Sequence, residues 1–238
     1  SAGVIQTVMP VEIATNIYQF QLIGAKITVL LSGDNVLVID TGTRGSLNRI
    51  KTAFSSLGID RTQVSLIVLT HHHPDHSGGV SELSKYTDAP IAAHRLDAGI
   101  IQGIQDKPDL HTNLWLAAIT RPFLSLLYSD NSKIDIYLED RQELPFEEKV
   151  EVIHVPGHTP GSICLFVPKQ KVMIVGDALE FRSGKLLHAS KSFTADIPKA
   201  ADSLKKLLDY DFETLCFSHF EPLTENAYGQ LELLLDNL

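Results

Sequence analysis

The chain has 238 residues, 44% of them hydrophobic and 21% charged, and a formal net charge of −9. That length and composition suit one large globular domain with an ample core. The acidic balance argues against a nucleic-acid footprint, which shows as a basic patch, and no stretch approaches the ~18 consecutive apolar residues of a membrane span.

Ser1 is not followed by the basic segment and apolar core of a secretory leader, with a leader already removed left open, and the two cysteines, read as free thiols, make the cytoplasm the expected compartment. Ile27 to Leu31, a turn at Ser32-Gly33-Asp34-Asn35 and Val36 to Asp40 predict a hairpin ending in an acid. A helix follows at about Ser46 to Leu57. Val64 to Leu69 is apolar at nearly every position and reads as a fully buried strand.

Directly beyond it stands Thr70-His71-His72-His73-Pro74-Asp75-His76-Ser77-Gly78-Gly79. Side chains alternate along an extended chain, so His71 and His73 share a face and His72 takes the other. Pro74 ends the extended run, and the turn after it brings Asp75 and His76 round to the same place. Imidazole and carboxylate together suit a borderline divalent ion such as zinc. A surface accident or a core histidine pair fits poorly, because the cluster is internal, sits at a strand end and includes an acid.

Between Arg95 and Pro145 the pattern changes. Leu110, Leu114, Trp115, Ala118 and Ile119 have helical spacing, Pro122 breaks it, and Phe123, Leu126, Leu127 and Tyr128 continue it. The expectation is an inserted helical hairpin at about 95–145, with a lid or dimer surface over an apolar pocket as the alternative. His94 and His111 at its edges, and His154 beyond it, read as structural.

The second half repeats the first. A strand from Glu151 to Val155 runs into the rigid turn Pro156-Gly157-His158-Thr159-Pro160-Gly161. Ile163 to Val167, a turn at Pro168-Lys169-Gln170 and Lys171 to Asp177 form a second hairpin ending in an acid, with Gly176 permitting a sharp exit. Ile197 to Leu208 has helical spacing, and the strand Thr214 to Ser218 leads to His219. Cys164 and Cys216 lie in apolar strand patterns and read as buried free thiols. Singly, His158 and His219 are ordinary hydrogen-bonded histidines, and Asp177 is a cap or turn residue. Together they complete a set. His71, His73 and His158 can form a three-nitrogen site, Asp75, His76 and His219 can form a second, and Asp177 can bridge the two, enough ligands for two ions sharing a water.

The run His-x-His-x-Asp-His followed by separate His, Asp and His resembles the metallo-β-lactamase-fold hydrolases. Val38-Ile39-Asp40-Thr41-Gly42 is similar to the first characteristic segment of that family. The resemblance implies an α+β fold, a four-layer αβ/βα sandwich with its metal site along one edge of the sheets. It places Asp40 near the metals, where a carboxylate accepting an imidazole N–H would orient that ligand and fix its tautomer. The alternative for Asp40 is a simple turn or cap residue.

The implied chemistry is a dinuclear site, zinc first with iron or manganese as alternatives, whose bridging hydroxide attacks an ester-like carbonyl of a small molecule. Asp75 would also steer or relay the proton. An acid at position 177 argues against true β-lactamases. Glyoxalase II-type thioesterases carry the full ligand set, and Gly184-Lys185 looks like their Gly-Lys pair, which makes Lys185 a candidate for a substrate carboxylate rather than a solvated loop lysine. The tail after His219 is too short for the helical C-terminal domain of their long form. Lactonases share all seven ligands, but Glu180 and Phe181 stand where their site tyrosine is usually found. Tyr128 is the candidate substitute, and His188 is a further candidate contact. Lactones and thioesters are therefore the expected substrates, with a homodimer left open. Two other readings remain: a persulfide dioxygenase-like enzyme with one iron at the three-nitrogen site, and a non-catalytic metal-binding module.

Overall fold

Strands buried on both faces read as unbroken apolar runs, and such runs form the middle of this molecule. The computed structural model describes residues 9–108, 126–128 and 130–236. Among them, the larger sheet keeps chain order: β1 (Val11–Ala14), β2 (Ile17–Gln21), β3 (Lys26–Ser32), β4 (Asn35–Ile39), β5 (Val64–Leu69), β6 (Ile91–His94) and β7 (Ile136–Leu138). β1 to β4 form an antiparallel meander, and β4 to β7 run parallel. The smaller sheet has the order β13 (Thr214–Phe217), β10 (Val172–Gly176), β9 (Ile163–Val167), β8 (Glu151–His154). β10 and β13 are parallel, whereas the other two pairs are antiparallel. A separate hairpin pairs β11 (Leu179–Arg182) with β12 (Lys185–His188).

The two-residue period of a strand sorts each run between two apolar layers. Leu37 and Ile39 of β4 and Leu66 and Val68 of β5 meet Leu165, Val167, Val172 and Ile174 between the sheets. Their sequence neighbours Val38 and Ile67 face the other way, against Ile50 and Phe54 of α1 (Leu47–Leu57) and Leu83 of α3 (Val80–Thr87). In the smaller sheet Met173 and Val175 face outward to Leu204, Leu207, Phe212 and Leu231. Leu231 belongs to the last helix, α6 (Ala227–Leu235). Helices cover the outer face of each sheet, which is the four-layer αβ/βα sandwich.

The expected first helix is α1, with Ser46 at its N-cap and Gly58 closing it in the left-handed conformation. The stretch expected as one helix over Ile197 to Leu208 is α-helical as α5 (Ile197–Ser203) and then tightens into a 3₁₀ segment, Leu204–Asp209. The 95–145 segment opens as helix α4 (Arg95–Ile101) and later supplies β7, so its second part joins the larger sheet by pairing with β6. The apolar positions from Leu110 to Phe123 and His111 lie outside the described residues. Cys164 and Cys216 are buried and free. No described helix is long and apolar enough to cross a membrane.

Candidate metal centre

Every candidate ligand leaves the end of a strand. After β5 the chain stays extended to His73, and Pro74 starts the one-turn helix α2 (Pro74–Ser77). That turn carries Asp75 and His76 back over His71. His158 comes from the turn after β8, Asp177 directly from β10, and His219 from just beyond β13. Gly176 has φ +53°, and a Cβ there would meet Thr70 Cβ at 3.1 Å, so the exit to Asp177 depends on glycine.

The seven side chains converge. His71, His73 and His158 form one group with donor atoms within 4.8 Å of one another, and Asp75, His76 and His219 form another. Asp177 stands between them, its carboxylate 3.6 Å from His158 Nε2, 3.4 Å from His76 Nε2 and 3.1 Å from His219 Nε2. The far nitrogens of four of the five rings are already engaged. His76 Nδ1 donates to Asp40 Oδ2 at 2.8 Å, His71 Nδ1 faces Thr70 Oγ1 at 3.1 Å, and His219 Nδ1 donates to the Gly24 carbonyl at 3.0 Å. His158 Nδ1 lies 3.3 Å from Thr194 Oγ1. Asp40 also accepts from the Thr70 amide and hydroxyl, so one buried carboxylate orients His76 directly and His71 through Thr70.

What remains lacks a proper partner. His71 Nε2 is buried and makes no hydrogen bond, while His76 Nε2 and Asp177 Oδ1, also buried, face each other at 3.4 Å without forming one. Buried polar atoms are otherwise almost always satisfied, and a nitrogen and carboxylate donor set fits a divalent ion of the zinc type. Charge favours the same reading. Burial and the neighbouring imidazoles hold His71 and His73 well below the usual histidine range, and burial lowers His158 too, keeping these rings neutral with a lone pair to give. At the other end burial would also depress His76, but the Asp177, Asp75 and Asp40 carboxylates raise it well above its ordinary value. Asp177 is held well below the carboxylate range, against its burial, by His76 and His219. That end of the cluster attracts positive charge.

Above the donors opens a cavity of about 600 Å³. Ile23, Leu127, Leu179, Phe193 and Phe220 give it apolar walls, and His73, Asp75, Asp177 and His219 lie at its polar end. Arg182 and Glu180 also line it, joined to each other at 3.0 and 3.2 Å, with the guanidinium 5.1 Å from the centre of the Phe220 ring.

The model of the metallo-beta-lactamase superfamily matches residues 24–219. This chain belongs to that superfamily. It is 30% identical over 219 residues to a probable metallo-hydrolase, YflN, of Bacillus subtilis (strain 168), spanning 85% of this chain and 82% of that one. It is 27% identical over 168 residues to a hydroxyacylglutathione hydrolase of Maricaulis maris (strain MCS10), spanning 71% of this chain and 52% of the relative. Among solved structures, a beta-lactamase from Chitinophaga pinensis superposes with a TM-score of 0.68 at 19% identity, covering 96% of this chain and 90% of that one. A metallo-beta-lactamase family protein from Thermus thermophilus gives 0.64 at 23% identity, covering 90% and 74%. These two likenesses concern the fold.

Within this metallo-beta-lactamase fold, none of the three candidate substrate contacts lines the cavity. Lys185 is exposed at the far end of the β11–β12 hairpin, opposite Arg182. His188 pairs with Leu179 on the same hairpin and sits outside the lining. Tyr128 is buried beside a separate small recess with Ser77, Val80 and Ile100, while its neighbour Leu127 reaches the cavity. His94 and His154 stack on each other, 3.8 Å apart and 14° from parallel, and belong to neither donor group. The residues that sequence reasoning missed are Thr70, Leu179, Phe193 and Phe220. Thr70 and Phe220 adjoin His71 and His219 in the chain, and that adjacency was the available signal.

Proposed function

We propose that the chain is a dinuclear zinc hydrolase that opens an ester-like carbonyl, a lactone with an apolar acyl group being the substrate the cavity fits best. One observation carries the reading: seven nitrogen and carboxylate donors converge beneath an apolar cavity, with the buried His71 Nε2 left without a partner. His71, His73 and His158 would hold one ion, Asp75, His76 and His219 the other, with Asp177 shared. Bound there, the two ions supply a nucleophile near neutral pH and polarise the scissile carbonyl.

The side chains do the rest. Asp40 and Thr70 keep His76 and His71 in the tautomers that leave Nε2 free. Asp75 is about a quarter exposed at the cavity, 3.4 Å from His219 Nε2, where its carboxylate can pass a proton to the departing group. Leu179, Phe193 and Phe220 hold the acyl chain out of water. Arg182 already has its two-point partner in Glu180, so it offers little to a substrate carboxylate. That favours a neutral acyl group over glutathione, whose thioesters are the second reading on the strength of the hydroxyacylglutathione hydrolase relatives.

The test is proton release by the zinc-loaded protein on matched lactone and thioester panels, compared as kcat/KM. The expected result is a preference for acyl-chain lactones that grows with chain length. A preference for glutathione thioesters would move the assignment to the thioesterases. No turnover on either panel, with one iron per chain and oxygen uptake on a persulfide, would replace hydrolysis altogether.

A further inference from the structure

Asp97 lies outside the donor cluster, yet more polar contacts meet on its carboxylate than on almost any other buried group in the described chain. It belongs to α4 and is 1% exposed. Its Oδ2 accepts from the His72 amide at 2.9 Å, from His72 Nδ1 at 3.0 Å and from the Thr159 hydroxyl at 2.7 Å. Its Oδ1 accepts from the Gly161 amide at 2.7 Å. The donors come from two segments with no sequence proximity. His72 sits between His71 and His73, and Thr159 follows His158. A Cβ on Gly161 would stand 2.7 Å from the Asp97 backbone nitrogen, so only glycine lets the turn come this close.

We propose that Asp97 is a positioning residue that ties the His71–His73 segment to the His158 turn and so sets the spacing of the three-nitrogen site. The geometry favours this over a general packing role. Every contact made by the carboxylate goes to a residue one to three positions from a candidate ligand. The two segments it joins meet where His73 Nδ1 faces His158 Nε2 at 3.1 Å. His72 is the ring of the histidine run that turns away from the donors, and its Nδ1 is spent on this tie. A carboxylate that meets N–H and O–H donors stays ionised even when buried, and the Asp97 carboxyl is held below its usual range by His72, Thr159 and Gly161 despite its burial. Asp40 orients His76 on one side of the cluster, and Asp97 spaces the three nitrogens on the other. The inference rests on the reading that these three histidines bind an ion.

The experiment is a Co(II) titration of the metal-free full chain, read by visible absorption and by chelator competition, in wild type and Asp97→Asn. The amide keeps the shape but turns one acceptor into a donor against His72 and Thr159. Expected is a roughly 10- to 100-fold weaker three-nitrogen step with altered absorption bands, while the Asp75/His76/His219 step and the far-UV circular dichroism stay as in wild type. Should Asp97→Asn not accumulate folded, Thr159→Val removes one tie and is expected to weaken the same step severalfold. Wild-type affinity and bands in the folded variant, or equal losses at both steps, would overturn the positioning role. A wild-type chain that takes up no Co(II) would overturn the metal reading itself, and this inference with it.

Discussion

The two ends of the donor cluster are built differently. His71, His73 and His158 are 2%, 7% and 2% exposed, and their rings are kept neutral by burial and by neighbouring imidazoles. Asp75 and His219 have side chains 27% and 30% exposed and share their end with Asp177 and a raised His76. The buried end is a rigid set of lone pairs, braced through Thr70, Thr194 and Asp97. The open end carries the negative charge and faces the cavity. On the proposed dinuclear reading, an ion at the first end would be held by geometry and an ion at the second by charge, so tighter binding is expected at the first and contact with substrate at the second.

The largest test of this contrast is Asp177→Ala, which removes the carboxylate common to both ends. It should cost more than the roughly hundredfold typical of an outer partner and leave one ion per chain by elemental analysis. Two retained ions at full rate would erase the distinction. Asp40→Ala comes next. Because Asp40 braces His76 directly, the open-end step of a metal titration should weaken by about 10- to 100-fold, with a smaller loss at the buried step. A chelator should strip the open end first, giving stepwise release of zinc, and simultaneous release would mean that the ends are not separable. Phe193→Ala, at the cavity wall, should raise KM for long-chain lactones severalfold with little change in kcat, since this ring is 41% exposed and only part of its burial energy is in play.

The smallest effect isolates burial without the metal-site carboxylates. His94 is lowered to about 4 by burial and by the stacked His154. An unfolded histidine takes its proton near 6.5, so between pH 6.5 and 4 the unfolded chain binds a proton that the folded chain refuses. Stability is whole above that window and falls as pH drops through it. His94→Gln should flatten the decline in urea midpoint from pH 6.5 to 4, and an unchanged slope would assign the acid sensitivity to other groups.

The strand ends were legible because their signals are local. Val64 to Leu69 is apolar at nearly every position, and the histidine run starts two residues beyond Leu69. The paired hairpins were legible for the same reason: a turn between two apolar runs needs only its own few residues. Asp97 was not legible. It reads as an ordinary helical acid, and its partners lie 25 to 64 residues away. Lys185 shows the limit in the opposite direction, since the Gly184-Lys185 pair matched a local pattern, yet its cross-strand partner Arg182 lines the cavity and Lys185 does not. The stretch expected as one helix beyond Ile197 failed at Ser203, where spacing could not tell α from 3₁₀.

By itself, then, the order of residues determined which chemistry the chain can offer and at which strand ends. Donor type is a property of a side chain, and alternation along a strand is a property of the backbone. The tertiary structure decided which donors stand together, which carboxylates brace them and how apolar the space above them is. Those facts depend on strand pairing within the larger sheet, which brings Asp40 to His76, and on two sheets closing face to face, which brings Asp97 to Thr159, across distances that no local rule spans.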